Sequence, residues 1–194
     1  MNRHNFSLEP FPAAGPLPSF KITGSIARRG DKLAVRYNLR GDLAELMVPA
    51  PAGRPARKHG LWEETCFEFF LGVKGYPRYW EFNLSPAGHW NVYGFAGYRQ
   101  GMAEESAITS LPVSVRRRRD SLLVAVEPAV DGIVTADRPL SVGIAAVIQL
   151  AGGGLTYWAL IHPGLQADFH RRDSFLVELY DQVAFIQVIY LFLL

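Results

Sequence analysis

The feature that most constrains this fold is a strict two-residue alternation running from Thr65 to Phe95. Phe67, Phe69, Leu71 and Val73 fall on one side of an extended segment, with Cys66, Glu68 and Phe70 on the other. From Tyr79 to Ser85 the pattern repeats, with Trp80, Phe82 and Leu84 opposed to Tyr79, Glu81, Asn83 and Ser85. A helix would scatter these sets around its axis, whereas a strand collects each on one face. Ser85-Pro86-Ala87-Gly88 is a turn, and Trp90 to Phe95 is the next strand.

The same reading extends along the chain. Phe20–Arg28 and Lys32–Leu39 form a hairpin through Arg29-Gly30-Asp31. Further strands are expected at Val113–Arg118, Ser121–Val126, Ser141–Leu150, Leu155–Ile161 and Phe175–Leu179. Helical pieces are limited to short segments near Arg99–Ser106 and Ala129–Ile133. The expected class is all-β: a two-sheet antiparallel β-sandwich, jelly-roll-like, with only short helical segments. Its shared core should hold Phe67, Phe69, Trp80, Phe82 and Leu84, because a one-residue slip would turn all of them outward.

With 194 residues and no internal linker, the chain reads as one domain with two flanks. Residues 1–18 carry Pro10, Pro12, Pro16 and Pro18 and read as a Pro-rich extension. Residues 19–179 form the sandwich, and residues 180–194 form an apolar tail. Val183–Leu194 is too short to span a bilayer, so no membrane span is expected. Its β-branched and aromatic content predicts a docked edge strand or the seam of a homodimer. No secretory segment opens the sequence, which implies a cytoplasmic protein. Cys66 is the lone cysteine, so no internal disulfide forms, and a net charge of +2 gives no reason to expect nucleic acid.

Most isolated motifs have ordinary explanations. Gly152-Gly153-Gly154 lies between strands with no P-loop lysine after it, and is a hairpin turn. Arg116–Arg119 is a solvated hairpin end. Cys66 is a packed small residue, Ser85 lacks the glycine-flanked elbow of a hydrolase, and the histidines lack metal-ligand spacing. The unusual feature is the face opposite the aromatic stripe, where Glu68, Glu81, Asn83 and Tyr79 gather. Carboxylates and an amide among aromatic strands suit either a hydroxyl-rich ligand or an internal network tying strands together.

The central block also carries a resemblance. Leu61-Trp62-x-x-Thr65-Cys66-Phe67-Glu68-x-Phe70 is followed by Tyr79-Trp80-Glu81-Phe82-Asn83-Leu84-Ser85-Pro86-x-Gly88-x-Trp90. Tyr98-Arg99-x-Gly101-Met102, His162-Pro163 and Asp168-Phe169-His170 complete the set. In combination they resemble the DOMON-like domains related to family 9 carbohydrate-binding modules, over nearly the whole chain up to Leu179. The resemblance implies a jelly-roll-like sandwich whose relatives bind sugars or haem at a sheet face or loop end. The apolar tail departs from the pattern.

The expected function is therefore non-catalytic binding of a small ligand, carbohydrate first, with no cofactor. Glu68, Glu81, Asn83 and Trp62 are expected near the ligand, with Arg99 and His170 at the rim. Two alternatives stand beside it. Directly paired, Glu68 and Glu81 would lie within about 5 Å, the carboxylate separation of a retaining glycosidase. Met102 with a histidine could instead supply axial ligands to haem.

Overall fold

The structure, a computed structural model, describes residues 2–12 and 19–180. Twelve strands are formed among them: β1 (Asn2–Pro10), β2 (Lys21–Arg29), β3 (Lys32–Arg40), β4 (Cys66–Val73), β5 (Tyr79–Leu84) and β6 (Trp90–Phe95) come first. They are followed by β7 (Ala103–Glu104), β8 (Ser114–Arg117), β9 (Ser121–Val126), β10 (Leu140–Gln149), β11 (Leu155–Ala159) and β12 (Val177–Leu179). Single 3₁₀ turns occupy Leu43–Glu45, Leu61–Glu63 and Arg172–Ser174.

The strands run in the order β7-β6-β5-β4-β10-β11-β1-β2-β3-β9-β8, with β12 beside β10, and their pairings are antiparallel. Two separate sheets were expected; the hydrogen-bonded ladder is instead continuous and curls on itself. The link is β1. It pairs with β2 up to Leu8–Ile22, then passes Glu9 and Pro10 to Ala159 and Trp158 of β11. Asn2–Pro10 is thus a strand of the sheet rather than a Pro-rich extension. Its alternation of Phe6 and Leu8, both buried, outweighs the proline count.

The curl brings β3 against β4. Tyr37 packs its ring 5.5 Å from Phe6 and 5.1 Å from Phe67, while its hydroxyl donates to the Glu68 carbonyl at 2.7 Å. Phe67, Phe69, Trp80, Phe82 and Leu84 are all buried in this core, as the alternation requires. Register explains the match: Phe69 faces Phe82 across β4–β5, and their rings stack at 4.3 Å. The Arg29–Asp31 and Gly152–Gly154 segments are hairpin turns, and Arg116 and Arg117 lie on the β8–β9 hairpin.

The two helical expectations fail. Around Arg99 the chain makes a tight turn with Arg99 at φ 52°, and Ala103–Glu104 then pairs with β6. Near Ala129–Ile133 the chain bridges Lys32 through Ala129 and then turns, closed by Val134 N–H on the Val130 carbonyl. The final strand begins at Val177, because Phe175 caps the preceding 3₁₀ turn. Val183–Leu194 lies outside the described residues, and with it the edge-strand and homodimer expectation. No helix among the described residues is long and apolar enough to cross a membrane.

Candidate functional site

The face of β4, β5 and β6 turned away from the main core is also covered. Phe70, Tyr79, Tyr93, Phe95, Ala145 and Ala159 on the strands are capped by Phe175 and by the partly buried Phe169 and Trp62. Both faces of these strands are therefore buried, and a cavity of about 450 Å³ remains under the cover. Glu68 and Glu81 line it together with Trp62, Phe95, Tyr157 and Phe169, and Arg99, Met102 and His170 also border it. Tyr157 at 38% and Met102 at 44% exposure mark its open side.

Five of the six residues expected near a ligand thus border one cavity: Trp62, Glu68, Glu81, Arg99 and His170. Asn83 does not. It is fully buried, donates from Nδ2 to Glu81 Oε1 at 2.7 Å, and faces the Cys66 thiol at 3.6 Å. Its place is to orient Glu81. Direct pairing of the two carboxylates is also corrected by register. Glu68 stands opposite Asn83, and Glu81 opposite Phe70, so the glutamates are diagonal neighbours. Diagonal positions lie about 7–8 Å apart between backbones, so the two are not directly paired and their carboxyls meet only through the reach of the side chains.

Burial dominates the electrostatics. It pushes the Glu68 carboxyl well above its ordinary range, with the Glu81 charge adding to the effect. Glu68 Oε1 is buried and has no hydrogen-bond partner. Burial also raises Glu81 to about 7, against the lowering pull of the Asn83 hydrogen bond and the Arg99 charge. His170 shows the converse: burial, helped by the Arg99 charge, lowers it to about 4, so the ring is neutral at pH 7. Its Nδ1 lies 2.9 Å from the Tyr79 hydroxyl and its Nε2 lies 3.8 Å from Glu81 Oε2. A neutral ring accepting from Tyr79 at Nδ1 presents Nε2–H toward Glu81, beyond hydrogen-bond length.

Two polar clusters hold the rim. Asp168 accepts from the Tyr98 hydroxyl, from Arg99 Nη2 at 2.8 Å and from His170 N–H at 3.2 Å. Although burial acts to raise it, the bonds from Tyr98 and Arg99 hold this carboxyl below its ordinary value. Arg99 N–H also donates to the Tyr79 hydroxyl at 3.2 Å. On the other side, Trp62 meets the His59 ring at 5.1 Å and the Tyr93 ring at 5.7 Å. The Tyr93 hydroxyl is fixed by His59 Nδ1 at 2.9 Å and by Asn91 Nδ2 at 2.7 Å. Cys66 is buried, and burial followed by the Glu68 charge pushes its thiol well up, away from thiolate reactivity.

Tyr157, Phe95, Phe169 and Glu63 also line the cavity without having been singled out. Phe169 had a signal, since it sits between Asp168 and His170. Tyr157 lies between Thr156 and Trp158 on β11, far in sequence from the central block, and only the curl brings it here. Among the described residues, no three His, Cys, Asp or Glu side chains cluster as a metal site.

No protein-family model matches this chain, and a search of curated proteins finds no match. Solved structures do share its fold. A "putative carbohydrate-binding protein" from Bacteroides uniformis ATCC 8492 aligns at TM-score 0.65 and 16% identity, covering 92% of this chain and 86% of that one. A family 9 carbohydrate-binding module from Caldicellulosiruptor kristjanssonii, solved with glucose, aligns at TM-score 0.54 and 9% identity, covering 86% and 79%. The cellotriose complex of a family 9 module from the same organism aligns at 0.54 and 8%, covering 90% and 83%. At these identities the likeness concerns the fold, and that fold is one used by carbohydrate-binding proteins.

Proposed function

We propose that this chain is a non-catalytic binding domain of DOMON-like type, and that carbohydrate is the ligand class of its cavity. We read the two limbs of the curled sheet as the faces of a sandwich joined at one corner by β1. The observation that carries the functional reading is two buried carboxyls, Glu68 and Glu81, meeting an aromatic-walled cavity of about 450 Å³. Carboxyl oxygens bond hydroxyls, and Trp62, Tyr157 and Phe169 offer flat apolar surface to sugar rings. The segments that carry the sequence resemblance contribute Trp62, Glu68, Glu81, Arg99, Met102 and His170 to this one place.

Titration with glucose, cellotriose and longer oligosaccharides, followed by calorimetry, tests the reading. Binding should be measurable, Glu81→Gln should weaken it, and no aryl glycoside should be hydrolysed. Hydrolysis abolished in both Glu68→Gln and Glu81→Gln would make the protein an enzyme instead. Haem is the remaining rival. Met102 and His170 both line the cavity, but the two His170 nitrogens already face Tyr79 and Glu81. A haem-type absorbance band on adding haemin, lost in Met102→Leu, would favour that reading.

A further inference from the structure

Building on the carbohydrate reading, we propose that the ligand carries a protonated amine, and that this ammonium group is held between Glu68 and Glu81. Glu63, Glu68 and Glu81 line the cavity against one guanidinium, that of Arg99. Arg99 is already engaged by Asp168 at 2.8 Å, which balances its charge at the rim. Among the described residues, no lysine or arginine forms an ion pair with Glu68 or Glu81. The nearest basic group is His170, 3.8 Å from Glu81 and neutral at pH 7.

Buried carboxylates are ordinarily paired, and a buried polar atom ordinarily has a partner. Glu68 breaks the second rule, and burial pushes it toward the protonated form that avoids the first. It is 3% exposed, its Oε1 is unpartnered, and it lines the cavity, so the missing donor would enter from there. Glu81 has only one of its oxygens engaged by Asn83, and its other oxygen faces His170 at 3.8 Å. An ammonium carries three donors, enough to serve both carboxyls at once. The walls suit the same group, because the faces of Trp62, Tyr157 and Phe169 attract cations. A neutral sugar would gain hydroxyl bonds here, whereas an ammonium would also stabilise the ionised form of both carboxyls, which burial disfavours.

Glucosamine, glucose and N-acetylglucosamine, compared at pH 7 by calorimetry on the full chain, separate these cases. They share one ring and differ in whether position two bears an ammonium, a hydroxyl or a neutral amide. Glucosamine should bind at least about tenfold more tightly than either of the others, the increment of one charge-assisted contact. That preference should vanish in Glu68→Gln and in Glu81→Gln, two near-isosteric changes that probe the pair independently. Glucose or N-acetylglucosamine binding as tightly as glucosamine overturns the ammonium proposal while leaving the carbohydrate reading intact. Persistence of the preference in both variants also overturns it, since the carboxyls would then not be its cause. Absence of binding by all three sugars and by oligosaccharides removes both readings together.

Discussion

Replacing Glu81 by glutamine should change how stability depends on pH. Glu81 rises from an ordinary 4.5 to about 7 because burial disfavours its charged form. Between those values the folded state holds a proton that the unfolded chain releases, so stability must fall as pH rises from 4.5 to 7. At about 1.4 kcal/mol per pKa unit the loss is about 3 kcal/mol. Glutamine carries no proton to lose and can still accept from Asn83, so this slope should disappear in the variant. His170 acts with the opposite sign. Lowered to about 4, it costs stability as pH falls from 6.5 toward 4, but it is present in both proteins and cancels in their difference. Glu68 adds to the difference, since removing the Glu81 charge relieves part of what raises it. Urea denaturation of both proteins at pH 4.5, 5.5, 6.5 and 7.5 supplies the measurement. The glutamine variant should gain about 3 kcal/mol on the parent across the range; a difference that stays constant with pH would refute the burial argument.

Phe82→Ala should lower unfolding free energy by about 3–5 kcal/mol, because Phe82 is fully buried and stacked on Phe69 at 4.3 Å; a loss under about 1 kcal/mol would show that the core is not built as described. Gly24→Ala should destabilise by at least about 1–3 kcal/mol in chemical denaturation, since a Cβ there would lie 2.0 Å from the Arg36 carbonyl oxygen and 2.3 Å from the Phe6 ring. Unchanged stability would mean that β1 does not lie against β2 as found. Trp62→Ala should weaken binding of whichever saccharide is recognised by about tenfold, as loss of one stacking face implies; equal affinity by fluorescence titration would remove Trp62 from the site.

The β4–β5–β6 block was legible because its side chains alternate without a break, and alternation determines which residues share a face. It does not say how many faces are buried. Phe70, Tyr79 and Phe95 on the supposedly polar face were the hint that something covers it, and the covering loop supplies Phe169 and His170 from more than 90 positions along the chain, as the Tyr79–His170 contact shows. Pairing register was equally out of reach. Whether Glu68 meets Glu81 or Asn83 depends on the length of the Lys74–Arg78 connection, which alternation alone cannot fix. The N-terminal strand was hidden by the prolines that end and follow it. Pro10 ends β1 at the corner where the strand leaves β2 for β11, a place where a missing N–H is tolerated.

The strand order has a consequence for how the chain is made. β4, β5 and β6 are joined by short turns and can pair as soon as they emerge, but the inner neighbour of β4 is β10, matched from Leu140–Val73 to Val147–Cys66. At about 5–20 residues per second, several seconds of synthesis separate the two. Throughout that interval β4 presents an unpaired edge whose residues are almost all destined for burial. The nascent protein therefore passes through a stage in which its stickiest border is complete and its partner does not yet exist. Slowing translation between Val73 and Leu140 should increase the fraction captured by chaperones or lost to aggregates, while slowing it after Ala159 should have little effect.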